Sequence, residues 1–312
     1  MTGEEGFLMP DYYPEFHCKI GACRTPCCDG WPISISMTDY FRLVGMECPP
    51  ELRRRLDTAL HVTRYPTQEE YAFLEPRWDG HCPIQMEDGR CMIHAELGED
   101  ALAPVCRLYP RGLHGDRASC ANSCEGVAEI LLRRKEQLTF LRGAEREPAS
   151  EPIAALQDRT RPLEERLFGF QMKEPAPAVL GIIRQMCEAS DSVREYAKTA
   201  LPNLPEDAER FAAQFPDWEA GFENLLANHM FFANYPDLDG SENREEARMT
   251  LCLAYLLTRD LARGYTRDHG AFEDLADVVA AAFRLIEHSA FHRNAAILLR
   301  RAGIVSPEKM CV

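Results

Sequence analysis

DYYPEFHCKIGACRTPCCDGW, residues 11–31, sets Cys18, Cys23, Cys27 and Cys28 within eleven positions. Each thiol is at once a nucleophile, an oxidation site and a soft metal ligand, so this density points to a bound metal rather than to packing. Gly21, Pro26 and Gly30 let the backbone turn tightly enough for several sulfurs to face one point. Adjacent cysteines usually point apart, which gives Cys27 and Cys28 different jobs or different metal atoms. Four small buried hydrophobes or a pair of disulfides form the competing reading; a reducing cytosol disfavours the bridges.

A second dense region, DGHCPIQMEDGRCMIHAELGEDALAPVCRLYPR at 79–111, adds Cys82, Cys91 and Cys106. Asp88-Gly89 reads as a hairpin turn that brings Cys82 and Cys91 together across two short strands. Cys120 and Cys124, in SCANSC, have a separation that lets two thiolates grip one metal from a turn or a first helical turn. Nine clustered sulfurs exceed one tetrahedral zinc or one four-iron cluster and suffice for two sites. The number does not choose zinc or iron, and one four-ligand site among structural thiols stays open. Cys48, before Pro49-Pro50, reads as a packing cysteine. His81 and His94 lie beside cysteines, whereas the other histidines are scattered as structural residues.

Of the 312 residues, 46% are hydrophobic and 27% charged, which places the chain among folded globular proteins. Thirteen cysteines, an odd number, argue against a disulfide framework. No basic leader precedes an apolar core, and the apolar run 251–257 is far too short for a bilayer. The expectation is a cytoplasmic protein without a membrane partner. A net charge of -15 repels nucleic-acid phosphates and favours a basic partner, such as lysines on another protein.

The predicted elements are a short strand at 33–36, helices at 40–46, 51–62, 96–103 and 126–142, and a domain boundary in the polar segment GAEREPASEP at 143–152. Helices follow at 162–171, 179–189, 192–201, 205–215, 222–233, 244–263, 272–288 and 294–301, each with apolar residues three and four apart. The fold class is mainly α. A cysteine-rich metal-binding portion with a short hairpin, 1–143, precedes an α-helical bundle, 144–312. No G-x-G-x-x-G, P-loop, G-x-S-x-G or H-E-x-x-H is present, so nucleotide hydrolysis, Rossmann cofactor binding and serine hydrolase chemistry are unsupported. The C-x-x-x-C-x-x-C signature of radical enzymes is also missing.

HCKIGACRTPCCDGW, DGHCPIQMEDGRCMIH, PVCRLYPR and FENLLANHMFFANYP together resemble the flagellin lysine N-methylases, part of a wider group of cysteine-cluster, zinc- or iron-chelating proteins. The resemblance implies methyl transfer from S-adenosyl-L-methionine to lysine amines of flagellin or another protein presenting lysines. It also implies an iron-sulfur cluster (4Fe-4S, with zinc the alternative) held by Cys18, Cys23, Cys27, Cys28, Cys82, Cys91, Cys106, Cys120 and Cys124.

Displacement at a sulfonium methyl needs an in-line amine, a path for its proton and a dry pocket, with no metal redox. The cluster therefore serves either as a staple between loops or as an open iron binding the amino acid end of S-adenosyl-L-methionine. Candidate catalytic residues are Tyr12, Tyr13, Asp29 and Tyr109: aromatic faces hold a cation, and Asp29 orients or deprotonates the amine, with a packing role the competing reading of each. Trp31, Asn224, Asn228 and His229 are candidates for cofactor binding. The competing reading of Glu223, Asn224, Asn228 and His229 is a hydrogen-bonded seam between helices. A redox or radical iron-sulfur enzyme and a non-enzymatic metal-binding protein are the rival functions.

Overall fold

Apolar periodicity translates into helices along most of the chain. The computed structural model describes residues 6–29, 33–172, 174–204, 208–238 and 240–312. Among these residues it has fourteen α-helices and two small sheets whose strands are only three or four residues long. The mainly α expectation holds. Among the described residues, no helix is long and apolar enough to cross a membrane.

Two compact units divide the chain: His17–Tyr109, and a larger one made of Met1–Phe16 with Pro110–Val312. The sequence boundary at 143/144 differs from this division, and strand pairing explains why. Leu8–Pro10 pairs antiparallel with Phe140–Arg142, matching Met9 to Leu141, and parallel with Arg117–Cys120 through Leu8 and Arg117. Arg111–His114 and Glu145–Glu147 complete this five-stranded sheet at its edges. These pairings draw the N-terminus and residues 110–147 into the larger unit. The predicted helix at 126–142 accordingly stops: Glu125–Arg133 is helical, and Phe140 turns into the sheet with its ring against Phe231.

In the larger unit, Pro177–Glu188, Asp191–Ala200, Phe272–Glu287 and Phe291–Arg301 fall close to their predicted positions. Ala208–Gln214 lies within the prediction at 205–215, whose first three residues are outside the described ones. Leu163–Phe168 is shorter than expected because Gly169, at φ +85°, turns the chain out of the helix. The longest helix, Arg244–Thr266, starts where Asn243 Oδ1 accepts the Glu246 N–H at 2.9 Å, with Glu245 and Glu246 at the positive end of the helix dipole. Its Gly264 lies against another backbone: an added Cβ would sit 2.2 Å from the Ala200 carbonyl oxygen.

Trp218–Phe232 is buried on every face from Gly221 to Phe231. A helix sunk this deeply is apolar all round or must satisfy each polar group it carries. Its Glu223, Asn224, Asn228 and His229 are such groups.

The smaller unit has its own core. Ala72–Leu74 pairs antiparallel with Ile33–Ile35 on one side and Leu60–Val62 on the other. Helices Met37–Gly45 and Pro50–Ala59 contribute Leu43, Leu52 and Leu56 to the same apolar cluster as Ile35 and Leu74. Ser36 caps the first of these helices by accepting the Asp39 N–H at 3.1 Å. The second ends at Ala59 rather than at 62, because Leu60–Val62 finds hydrogen-bond partners in the sheet. The predicted helix at 96–103 starts and stops earlier, as Met92–Leu97, where Gly98 at φ +85° breaks it; Glu99–Ala101 is one 3-10 turn and Cys106 rides on Pro104–Leu108.

Candidate functional site

Within the smaller unit, two glycines bring the cysteine-bearing loops together. Gly21 and Gly89 each have φ +83°, and a Cβ on Gly89 would lie 2.6 Å from the Gly21 carbonyl oxygen. Only residues without side chains allow this approach of two backbones. The predicted hairpin is present as a turn: Gly89 donates to the Met86 carbonyl, Met86 to the Arg90 carbonyl, and Gln85 bridges antiparallel to Cys91. Cys82 closes the preceding turn by accepting the Gln85 N–H on its carbonyl at 3.0 Å.

Five thiols draw near one another on this frame. Cys28 shares side-chain hydrogen bonds with Cys27 and Cys82, which together with burial push its thiol far up. The same Cys28 bond pulls Cys82 down, helped by the N–H groups of Ile84 and Gln85 against the opposing effect of burial. Burial raises Cys91, whose sulfur also feels Cys82 and Cys27. Burial raises Cys106, and the fields of Cys91, Cys82 and Cys27 add to it. Hydrogen bonding leads at Cys28 and Cys82 and burial at Cys91 and Cys106, and five neighbouring thiols are the soft donors that a thiophilic cation takes. The donor chemistry thus fits a soft metal centre. Among the described residues, no group of three or more His, Cys, Asp or Glu side chains is set at ligand-holding geometry.

The remaining predicted ligands are placed as follows. Cys18 is exposed, with its sulfur accepting the Ile20 N–H at 3.4 Å, and Cys23 is half-buried. Cys120 and Cys124 belong to the larger unit, Cys120 on the buried strand Arg117–Cys120 and Cys124 at the start of helix Glu125–Arg133.

Asp29, next to Cys28, lies 2.7 Å through Oδ2 from His81 Nδ1, and His81 is next to Cys82. The Asp29 side chain is 14% exposed and that of His81 45%. Tyr109 is half-buried at the end of Pro104–Leu108. Trp31 lies outside the described residues. His81 was only half visible in the sequence, as a histidine beside a cysteine; nothing local indicated Asp29, 52 residues away, as its partner.

The other candidates lie inside the larger unit. Tyr12 donates to Asn228 Oδ1 at 2.8 Å, and burial holds its hydroxyl well above the usual phenol range. Ser119 donates to the same oxygen at 2.9 Å, while Asn228 Nδ2 donates to the Cys120 carbonyl at 2.8 Å and to Asn122 Oδ1 at 2.7 Å. Asn224 donates to the Arg134 and Glu136 carbonyls and accepts the Leu138 N–H. Both amides are engaged on their oxygen and nitrogen alike, as a seam between chain segments requires. Glu223 is fully buried under Arg159, which donates to Oε1 at 2.9 and 3.0 Å, and under Arg166. Tyr13 is buried beneath Arg111, whose guanidinium carbon stands 5.5 Å from its ring centre. His229 meets Glu287 and His292, neither of which the sequence reading singled out. A signal existed for Glu287: it lies four residues after Phe283 on the apolar face of its helix.

Residues 179–312 match the FliB lysine N-methylase C-terminal domain. The chain is also 28% identical over 146 residues to a Lysine-N-methylase of Salmonella choleraesuis, strain SC-B67, and 26% over 135 residues to a Lysine-N-methylase of Salmonella typhimurium, strain LT2. Each match covers 42% of this chain, which spans a third (33%) of the length of either relative. Flagellar biosynthetic protein FliU of Salmonella muenchen is 25% identical over 135 residues, covering 42% of this chain and 79% of its own. No solved structure matches. The resemblance to the flagellin lysine N-methylases read from the motifs is borne out by these matches, which lie in less than half of the chain.

Proposed function

We propose that the chain takes part in S-adenosyl-L-methionine-dependent methylation of lysine side chains on flagellin or a similar lysine-presenting protein, around a cysteine-ligated iron-sulfur or zinc centre. The match of residues 179–312 to the FliB lysine N-methylase C-terminal domain carries this reading. Cys27, Cys28, Cys82, Cys91 and Cys106 are the residues that would hold the centre, since their thiols already feel one another. When bound, it supplies a positive charge that keeps these sulfurs as thiolates and staples their loops.

Methyl transfer breaks the sulfonium carbon–sulfur bond as the amine nitrogen forms its bond to the methyl carbon, and one proton leaves the amine. Asp29 fixes the His81 tautomer by accepting the Nδ1 proton, which leaves a lone pair on Nε2 of a half-exposed imidazole to take a proton. Tyr12, Asn224 and Asn228, with their polar atoms committed to buried partners, serve as the frame rather than as contacts to reactants.

The test is incubation of the purified protein with labelled S-adenosyl-L-methionine and flagellin, alongside metal analysis of anaerobically prepared protein. Label on flagellin lysines without added reductant supports the reading. Strict dependence on dithionite replaces displacement with the radical alternative. Absence of label in both conditions, from protein that carries metal, leaves a metal-binding protein and ends the methylase reading.

A further inference from the structure

Four polar groups meet inside the larger unit. Glu287 ends Phe272–Glu287, His229 sits in Trp218–Phe232, His292 is in the first turn of Phe291–Arg301 and Thr250 lies in Arg244–Thr266. Glu287 Oε1 is 3.1 Å from His229 Nδ1, His229 Nε2 is 3.0 Å from His292 Nε2, and His292 Nδ1 is 3.0 Å from Thr250 Oγ1. All four are buried.

The direction of this chain follows from its far end. The Thr250 hydroxyl donates its one proton to the Ala247 carbonyl at 3.0 Å, so its oxygen accepts from His292 Nδ1–H. Each of the three contacts needs one bridging proton. A carboxylate with two neutral imidazoles holds only two. We infer that Glu287, His229 and His292 jointly hold one extra proton in the folded protein, forming an uncharged buried relay whose deprotonation by alkali makes it a pH-sensitive latch between four helices.

Electrostatics agree with that count. Burial pushes Glu287 up to about 8 and His229 down to about 4, which rests the extra proton on the carboxyl as a donor to His229 Nδ1. The other Glu287 oxygen accepts the Ser123 N–H at 3.1 Å. Facing groups are His288, which pulls Glu287 down but less strongly than burial raises it, and the buried Tyr12 hydroxyl. Arg284 stands one turn earlier on the same helix, and buried Glu125 opens the neighbouring helix Glu125–Arg133.

The sign follows from linkage. An unfolded carboxyl titrates near about 4.3 and an unfolded imidazole near about 6.5. Between those values the raised Glu287 and the lowered His229 oppose each other. From about pH 6.5 to the Glu287 value near 8, the folded chain keeps a proton that the unfolded chain has lost, so stability falls as pH rises.

Glu287→Gln supplies the test, because an amide donates to His229 and accepts from Ser123 without titrating. In denaturant melts of the full chain, the unfolding constant of the parent divided by that of E287Q should grow by up to about tenfold per pH unit between pH 6.5 and 8. Parallel profiles overturn the inference. Infrared difference spectra give a second readout: a buried carboxylic acid carbonyl band at pH 6 that fades above pH 8 and is missing from E287Q. A parent protein without that band at pH 6 overturns the inference whether or not the variant folds. Neither readout involves methyl transfer, so the outcome is independent of the proposed function.

Discussion

Replacing Asn228 with alanine strips four hydrogen bonds from the interior of the larger unit at once. Its oxygen accepts from Tyr12 and Ser119, and its nitrogen donates to the Cys120 carbonyl and Asn122 Oδ1. Tyr12 also donates to the Cys120 carbonyl at 3.4 Å, so that carbonyl keeps a partner, whereas the buried Asn122 Oδ1 loses the Asn228 donor. One stranded acceptor costs about 1–3 kcal/mol and the other lost bonds add about 1 kcal/mol, so Asn228→Ala should lose about 3 kcal/mol in all. Set against a total of about 5–15 kcal/mol for a folded domain, that is a large share. Urea melts followed by circular dichroism measure it directly, as a lower midpoint at unchanged slope. A loss under about 1 kcal/mol, accompanied by weakened S-adenosyl-L-methionine binding, would refute the reasoning and return Asn228 to a cofactor pocket.

Tyr12→Phe removes one donor to Asn228 and should cost about 1 kcal/mol of stability, with methyl transfer changed less than about threefold; a drop of a hundredfold would make Tyr12 catalytic. Glu223→Gln leaves the Arg166 guanidinium, 2% exposed, without its buried counter-charge, and should lower stability by about 3 kcal/mol in the same melts. Gly264→Ala drives a methyl into the Ala200 carbonyl, 2.2 Å away, and should cost about 3 kcal/mol because backbone on both sides must yield. Gly89→Ala meets the Gly21 carbonyl in the same way, and should lower the metal content of purified protein while leaving the helical circular dichroism signal intact.

Helices were legible in the sequence because their signal is local: apolar residues three and four apart mark a face wherever that face is buried. This holds for Arg244–Thr266 and Phe272–Glu287, found close to their predicted limits. The turn that opposes Gln85 to Cys91 was legible for the same reason, through Asp88-Gly89. Leu8–Pro10 and Phe140–Arg142 were not, since a three-residue strand has no period to recognise and its partner lies some 130 residues away. That pairing also decided where the chain divides. The polar residues of FENLLANH were visible as a group, but whether they line a pocket or bind the interior depends on which carbonyls and hydroxyls the folded chain brings to them. A side chain announces what it can donate or accept; only packing determines what stands within 3 Å of it.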